Sequence, residues 1–151
     1  MNIKRIQFGN TFFETLYGFS KLERDFCKTA GVYYGQPRIL TVLSDHEGLS
    51  LSELSPICGI GLPSLSVSLR NMQKSGLIQK VGVGKRQRVF LTEDGRTRAM
   101  RFHQEMEKFY ELAMEQLGNE RTERLYADLE SFAKIISDYA EQYELANGWK
   151  E

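Results

Sequence analysis

Cationic side chains are concentrated in one segment of a chain whose formal net charge is zero. Residues 70–101 contain nine basic residues and two acidic ones, so the rest of the chain is acidic. Clustered Lys and Arg side chains bind polyanions, because they neutralise several negative charges at once. The alternative is a solvated charged surface with no partner. The basic segment therefore predicts a local polyanion contact but does not establish one.

The stretch GLPSLSVSLRNMQKSG, residues 61–76, overlaps the start of this basic segment and has the period of a short amphipathic helix. Leu65, Leu69 and Met72 recur at steps of four and three, which assigns them to the core side. Hydroxyl groups can donate to phosphates or base edges, and small apolar groups can meet thymine methyl groups. The alternative is a helix that only packs and whose serines are solvated. The candidates for the exposed side are Leu62, Pro63, Ser64, Ser66, Val67 and Arg70.

Other chemistries have little support in the sequence. Cys27 and Cys58 are too few and too far apart for a disulfide framework, and they form no metal-ligand spacing with His46 or His103. The segment VGVGK lacks the spacing of a phosphate-binding loop. No nucleophile and base pair or carboxylate pair is evident. We therefore expect no enzymatic activity, no metal site and no cofactor.

Helices are expected on the N-terminal side of the basic segment. Phe12, Leu16, Phe19 and Phe26 lie on one helical stripe and predict a first helix over residues 8–29. Pro37 can begin a second helix without the loss of a needed backbone donor. Ser50 and Glu53 have the spacing of a capping box for a third helix from Leu51 to Cys58. Since a glycine-containing turn joins that helix to residues 61–76, the pair reads as a helix-turn-helix.

The segment LIQKVGVGKRQRVFLT changes to a strand-like composition and predicts a hairpin with its tip near Gly82 to Lys85. This hairpin would carry the cations Lys85, Arg86 and Arg88. Thr92 is expected to cap the next helix, and Gly118 with Asn119 interrupts two long helices. A small module could not cover the apolar stripes of both helices, which favours burial against a second copy of the chain. The stripe of the second helix consists of Leu125, Leu129, Phe132, Ile136, Tyr139 and Tyr143.

This order of elements resembles the MarR family of winged helix-turn-helix transcriptional regulators. Three blocks carry the resemblance: GQPRILTVL (35–43), LSLSELSPICGIGLPSLSVSLRNMQKSGLI (49–78) and VFLTEDGR (89–96). The chain departs from the family where Gly61, Ser64 and Val67 stand at positions that usually hold a Ser or Thr cap, a Thr or Ser, and an Arg. Val83, Gly84 and Lys85 stand where the family wing usually has Asp-x-Arg.

The resemblance implies a mainly α fold with a small β-hairpin wing. Residues 35–96 would form the winged helix-turn-helix DNA-binding region, and residues 1–34 and 97–151 a helical dimerisation region. The implied function is that of a homodimeric repressor that binds a pseudo-palindromic operator in double-stranded DNA. No stretch of the sequence approaches eighteen uninterrupted apolar residues, so we expect a cytoplasmic protein with no membrane association. The expected DNA contacts are Leu62, Pro63, Ser64, Ser66, Val67, Arg70, Lys74, Lys85, Arg86 and Arg88.

The family also places an effector pocket near a group of aromatic residues in this chain. The pocket would bind a small aromatic ligand that releases the DNA, and its lining would be Phe13, Tyr17, Tyr33, Tyr34 and Phe109. Ordinary dimer core is the alternative interpretation of these side chains. For the whole chain, the alternative function is a protein-interaction module whose helix-turn-helix no longer recognises DNA.

Overall fold

The structure is a computed structural model that describes residues 3–147, and it is mainly helical with one antiparallel hairpin. This arrangement confirms the predicted helices and hairpin. The chain forms two compact units, one ending at Glu107 and the other beginning at Lys108. Among the described residues, no helix is both long and apolar enough to cross a membrane. The elements are α1 Ile3–Ala30, α2 Gln36–Asp45, α3 Leu51–Cys58, α4 Leu62–Lys74, β1 Ile78–Val81, β2 Arg88–Leu91, α5 Glu93–Leu117 and α6 Asn119–Asn147.

Helix α1 begins at Ile3, five residues before its predicted start. The prediction relied on the apolar stripe from Phe12 onward, and the helix extends beyond this stripe on its N-terminal side. Gly9 and Gly18 lie inside α1, and a Cβ atom added at either one would meet no neighbouring group within 4 Å, so neither marks a close contact. An isolated glycine weakens a long helix by about 1 kcal/mol and does not end it.

The core of the first unit is built from apolar faces of α1, α2, α3, α4 and α5 together with the two strands. Leu65, Leu69 and Met72 are fully buried, which confirms the core face predicted for α4. The predicted capping box is also present, since Ser50 accepts from the Glu53 backbone N–H and Glu53 accepts from the Ser50 backbone N–H. Because one face of α4 is buried in this core, the side chains on its opposite face are directed toward solvent.

The wing is the hairpin of β1 and β2, in which Ile78 pairs with Leu91 and Val81 with Arg88. Val89 also bridges to Leu49 in the connection between α2 and α3, which attaches the wing to the helical core. A single turn of 3₁₀-helix, Gly84–Arg86, forms the tip region between the strands. The predicted hairpin is therefore confirmed, together with its tip.

Candidate nucleic-acid interface

Helix α4 exposes one continuous line of side chains on the side opposite its core residues. Pro63, Val67, Arg70 and Lys74 follow one another at steps of four and three, so they lie one above another. All four are exposed. We call these four residues the central line. Their position follows from the burial of Leu65, Leu69 and Met72, because a helix can bury only one of its faces here.

A cleft of about 480 Å³ lies between α4 and the wing. Its α4 wall contains Leu62 and Ser66, and its wing wall contains Lys80, Lys85 and Gln87. Ser50 and Ser52, at the start of α3, complete the polar lining. We call it the wing cleft. Its lining has two cations, several hydroxyl groups and no carboxylate, which suits an anionic partner.

The wing cations are not equivalent. Lys85 and Arg86 are exposed in the 3₁₀ turn. The guanidinium of Arg88, by contrast, donates to the backbone carbonyls of Lys85 and Gln87 at 3.3 Å each. Arg88 therefore braces the tip of the hairpin and is only half-exposed, while Lys85 and Arg86 remain free to reach a partner.

Glu53, in the first turn of α3, is a carboxylate whose charge interacts with that of Arg88 in the wing. The hydrogen bonds from the Ser50 hydroxyl and the Ser50 backbone N–H lower its pKa, with a smaller contribution from the charge of Arg88. Its Oε2 accepts the Ser50 N–H at 2.7 Å and the hydroxyl at 2.6 Å. The negative charge is thus engaged by the cap of α3 and is partly balanced by Arg88.

A second cleft, of about 430 Å³, lies on the other side of α4. Ser68, Asn71 and Ser75 form its α4 wall, and they follow at steps of three and four. Tyr33, Tyr34 and Gln36 form the opposite wall, and Lys74 is its one lining cation. We call it the tyrosine cleft. Like the wing cleft, it has no carboxylate in its lining.

Two cations of the predicted basic segment are engaged within the fold. Arg96 pairs with Glu47, and its Nε lies 3.0 Å from the Glu47 carboxylate. Arg98 pairs with Asp94 and also donates to the Gly31 carbonyl. Both arginines therefore tie α5 to other parts of the fold. The basic residues that remain near the α4 surface and the wing are Arg70, Lys74, Lys80, Lys85, Arg86 and Arg88.

The predicted DNA contacts cluster around α4 and the wing, as their order in the sequence suggested. Leu62 and Ser66 face the wing cleft, and Ser64 is exposed near the N-terminal end of the helix. Their roles remain predictions. The sequence reasoning did not select the polar residues that complete the two clefts, because most lie outside the recognition stretch or on the flanks of its helix: Ser50, Ser52, Lys80, Gln87, Ser68, Asn71 and Gln36.

The residues predicted to line an effector pocket occupy several places. Tyr33 and Tyr34 share the tyrosine cleft. Phe13 and Tyr17 lie on α1 with 70% and 72% of their surfaces exposed. Phe109 belongs to the second compact unit. An effector pocket built from all five therefore remains a prediction.

Both cysteines are buried within the first unit. Burial raises the pKa of the Cys27 thiol to about 11, and the nearby charge of Glu23 adds to the shift. Burial also raises the pKa of Cys58, while the charge of Arg38 opposes the change. Thiols with raised pKa values carry little of the reactive thiolate at neutral pH. Within residues 3–147, no group of three or more His, Cys, Asp or Glu side chains has metal-binding geometry.

The chain matches no protein-family model, and no curated protein matches its sequence. Solved structures, in contrast, show the same fold. A MarR family transcription regulator superimposes with a TM-score of 0.82 at 18% identity, covering 91% of this chain and 93% of that one. A MarR protein of Staphylococcus aureus, in complex with salicylate and kanamycin, gives 0.78 at 19% identity, covering 91% and 95%.

A third similar structure is the complex of Staphylococcus aureus MepR with DNA, with a TM-score of 0.75 at 19% identity, covering 84% of this chain and 96% of that one. Identities this low establish a common fold rather than a common activity. The resemblance inferred from the sequence is therefore confirmed at the level of the fold: the chain has the winged helix-turn-helix fold of MarR family regulators.

Proposed function

We propose that this chain is a DNA-binding transcription regulator that acts as a homodimeric repressor at a pseudo-palindromic operator, in the cytoplasm. The observation that carries the proposal is the exposed central line of α4, with a carboxylate-free polar cleft on each side. The central line would enter the major groove, where Arg70 can reach base edges or phosphates. One neighbour of the same fold was crystallised with DNA, which supports DNA binding by analogy.

Electrostatics supplies most of the expected affinity. Five cations per subunit are placed to contact phosphates once the braced Arg88 is set aside: Arg70, Lys74, Lys80, Lys85 and Arg86. If each of them in a dimer neutralised one phosphate, the logarithm of the association constant would fall with that of the salt concentration at a slope of about −9. Binding should therefore weaken steeply as salt rises.

The test begins with selection of bound duplexes from a random DNA pool, followed by titration of the enriched sequence at several salt concentrations. Arg70→Gln removes one cation from the central line of each subunit. We expect affinity to fall at least tenfold, since the dimer loses two contacts and each contact to a base or phosphate contributes about 1–3 kcal/mol. The salt slope should also become shallower by about 2 per dimer if both arginines contact phosphates.

Arg121→Gln is the matched control, because Arg121 is an exposed cation on α6. Its affinity should equal that of the unmodified protein. Failure of the folded protein to enrich any sequence, or to bind duplexes in a salt-dependent way, would refute the proposal. That outcome would favour the alternative of a protein-interaction module.

The dimer is supported by an uncovered apolar stripe on α6. Leu125, Leu129, Ile136, Tyr139 and Tyr143 are each at least 45% exposed, and they recur with Phe132 at alternating steps of four and three. This is the heptad spacing by which helices pack against each other. Monomeric proteins rarely leave so large an apolar surface in water. A second copy of the chain supplies the matching surface by symmetry.

Light scattering coupled to size-exclusion chromatography tests this part of the proposal. Ile136→Glu places a charge in the stripe and should convert the dimer to a monomer, because an unpaired charge in an apolar interface is strongly unfavourable. Ala127→Glu adds the same charge on the opposite side of α6 and should leave the dimer intact. A monomeric unmodified protein, or a dimeric Ile136→Glu variant, would contradict the assignment.

A further inference from the structure

The two clefts beside α4 have the positions that the two DNA strands bordering a major groove would occupy. An α-helix with its side chains is about 10–12 Å across, and the major groove is about 12 Å wide. A helix inserted with its central line toward the bases is therefore flanked by one strand on each side. The wing cleft meets one strand, as expected of a wing. We propose that the tyrosine cleft binds phosphates of the other strand.

The lining of the tyrosine cleft suits a phosphodiester. Tyr33 is 73% exposed and Tyr34 is 52% exposed, so their hydroxyl groups are available to donate. Asn71 adds an amide donor and Lys74 a positive charge. The guanidinium carbon of Arg24 lies 5.0 Å from the centre of the Tyr34 ring, so a second cation borders the cleft. These groups offer donors and positive charge, and no carboxylate lines the cleft to repel a phosphate.

The wall that carries the tyrosines is held in place before any ligand arrives. Gln36 is only 5% exposed, and its side-chain carbonyl accepts the Tyr33 backbone N–H at 2.9 Å. The Gln36 backbone N–H donates to the Tyr33 carbonyl at 3.0 Å. Arg98 donates to the carbonyl of Gly31, two residues before Tyr33. A preformed wall lowers the entropic cost of binding, because few groups must become ordered.

This inference rests on the proposed function, and it changes the role of two residues that the sequence assigned to an effector pocket. The tyrosine hydroxyls would belong to the DNA-binding surface of the protein, on the flank of α4 opposite the wing. Ser68 and Asn71 would belong to the same surface, because each directly follows a residue of the central line and so lies on its flank. The contact would fix the orientation of the duplex and would not discriminate sequences, as is general for phosphate contacts.

The experiment uses the full chain and the duplex enriched by selection, with binding followed by fluorescence anisotropy. The double variant Tyr33→Phe with Tyr34→Phe removes two hydroxyls and retains both rings, including the ring under Arg24. Each lost hydrogen bond should weaken binding by about twofold to tenfold, with no change in the salt slope. Lys74→Gln should reduce the slope by about 2 per dimer. Tyr126→Phe and Lys134→Gln, at exposed positions of α6, should leave affinity and slope unchanged.

Duplexes with a single neutral methylphosphonate at successive positions then locate the contacts. The unmodified protein should be sensitive at phosphates on both strands of each half-site. The double tyrosine variant should show reduced sensitivity on one strand only. If the unmodified protein and the double variant bind with the same affinity and the same phosphate pattern, the inference is wrong while the proposed function stands. If the folded protein binds no duplex, both are wrong.

Discussion

Gly95 lies where the first turn of α5 comes closest to the segment that leads into the wing. A Cβ atom at this position would be 2.0 Å from the carbonyl oxygen of Leu77 and 3.0 Å from its carbonyl carbon. Unstrained carbon–oxygen contacts are about 3.3 Å or longer, so the backbone would have to move by roughly 1 Å. The substitution Gly95→Ala therefore opposes the packing of α5 against this segment.

Several hydrogen bonds depend on the same approach. The backbone N–H of Thr92 donates to the Leu77 carbonyl at 3.0 Å, and the Thr92 hydroxyl donates to the Gly76 carbonyl at 2.5 Å. The Gly95 N–H in turn donates to the Thr92 hydroxyl at 3.0 Å, which confirms Thr92 as the predicted cap of α5. A displacement of the turn weakens all three bonds. Each such bond contributes about 1 kcal/mol.

The expected magnitude follows from opposing effects. Replacing glycine by alanine inside a helix gains about 1 kcal/mol. Overpacking costs about 1–3 kcal/mol, and weakening of the three hydrogen bonds adds to that cost. The clash should prevail, with the free energy of unfolding reduced by about 2 kcal/mol. With a dependence on urea of about 2 kcal/mol per molar, the midpoint of unfolding should fall by about 1 M.

Urea unfolding followed by circular dichroism measures this change, at one fixed protein concentration because the proposed dimer would be stabilised by mass action. Gly18→Ala is the matched control, since Gly18 is also helical and a Cβ atom added there would have open space within 4 Å. That variant should be as stable as the unmodified protein or more stable by up to about 1 kcal/mol. Equal midpoints for the two variants would show that the approach of α5 to Leu77 does not constrain residue 95.

Two further predictions follow from perturbed ionisable groups. Cys27 and Cys58 should react slowly with a thiol reagent in the native protein at pH 8 and rapidly in urea, because burial raises both pKa values; rapid native labelling would contradict this. The hydrogen bonds from Ser50 lower the pKa of Glu53 in the folded chain. The ionised carboxylate therefore stabilises the fold at pH values above the pKa of Glu53 in the unfolded chain. This stabilisation is lost as pH falls through the pKa in the folded chain. Urea midpoints of the unmodified protein should thus decline in acid, and Glu53→Gln should lower the neutral midpoint and make this decline shallower; parallel pH profiles would contradict the assignment.

The fold was accessible from the sequence because its signals are local. The steps between Leu65, Leu69 and Met72, and the spacing of Ser50 and Glu53, specify elements within a few residues of one another. The clash at Gly95 could not be foreseen in this way. Gly95 lies in the VFLTEDGR block that resembles the family, but glycine is required there because of the close approach to Leu77, which is distant along the sequence.

The same distinction applies to the proposed DNA surface. The sequence alone separates the core face of α4 from its exposed face, since both follow from one helical period. It does not show that residues near 33 border the flank of α4 opposite the wing, because that proximity depends on how α1, α2 and α4 pack. Val67 is uncharged, so the central line of α4 has only Arg70 and Lys74 as cations. Because the central line is weakly charged, many of the contacts to the DNA phosphate backbone would come from the two polar clefts on the flanks of α4. Substitutions of Tyr33, Tyr34 or Lys85 should then lower affinity for every duplex alike, whereas substitutions of Val67 or Arg70 should also change which sequence is preferred.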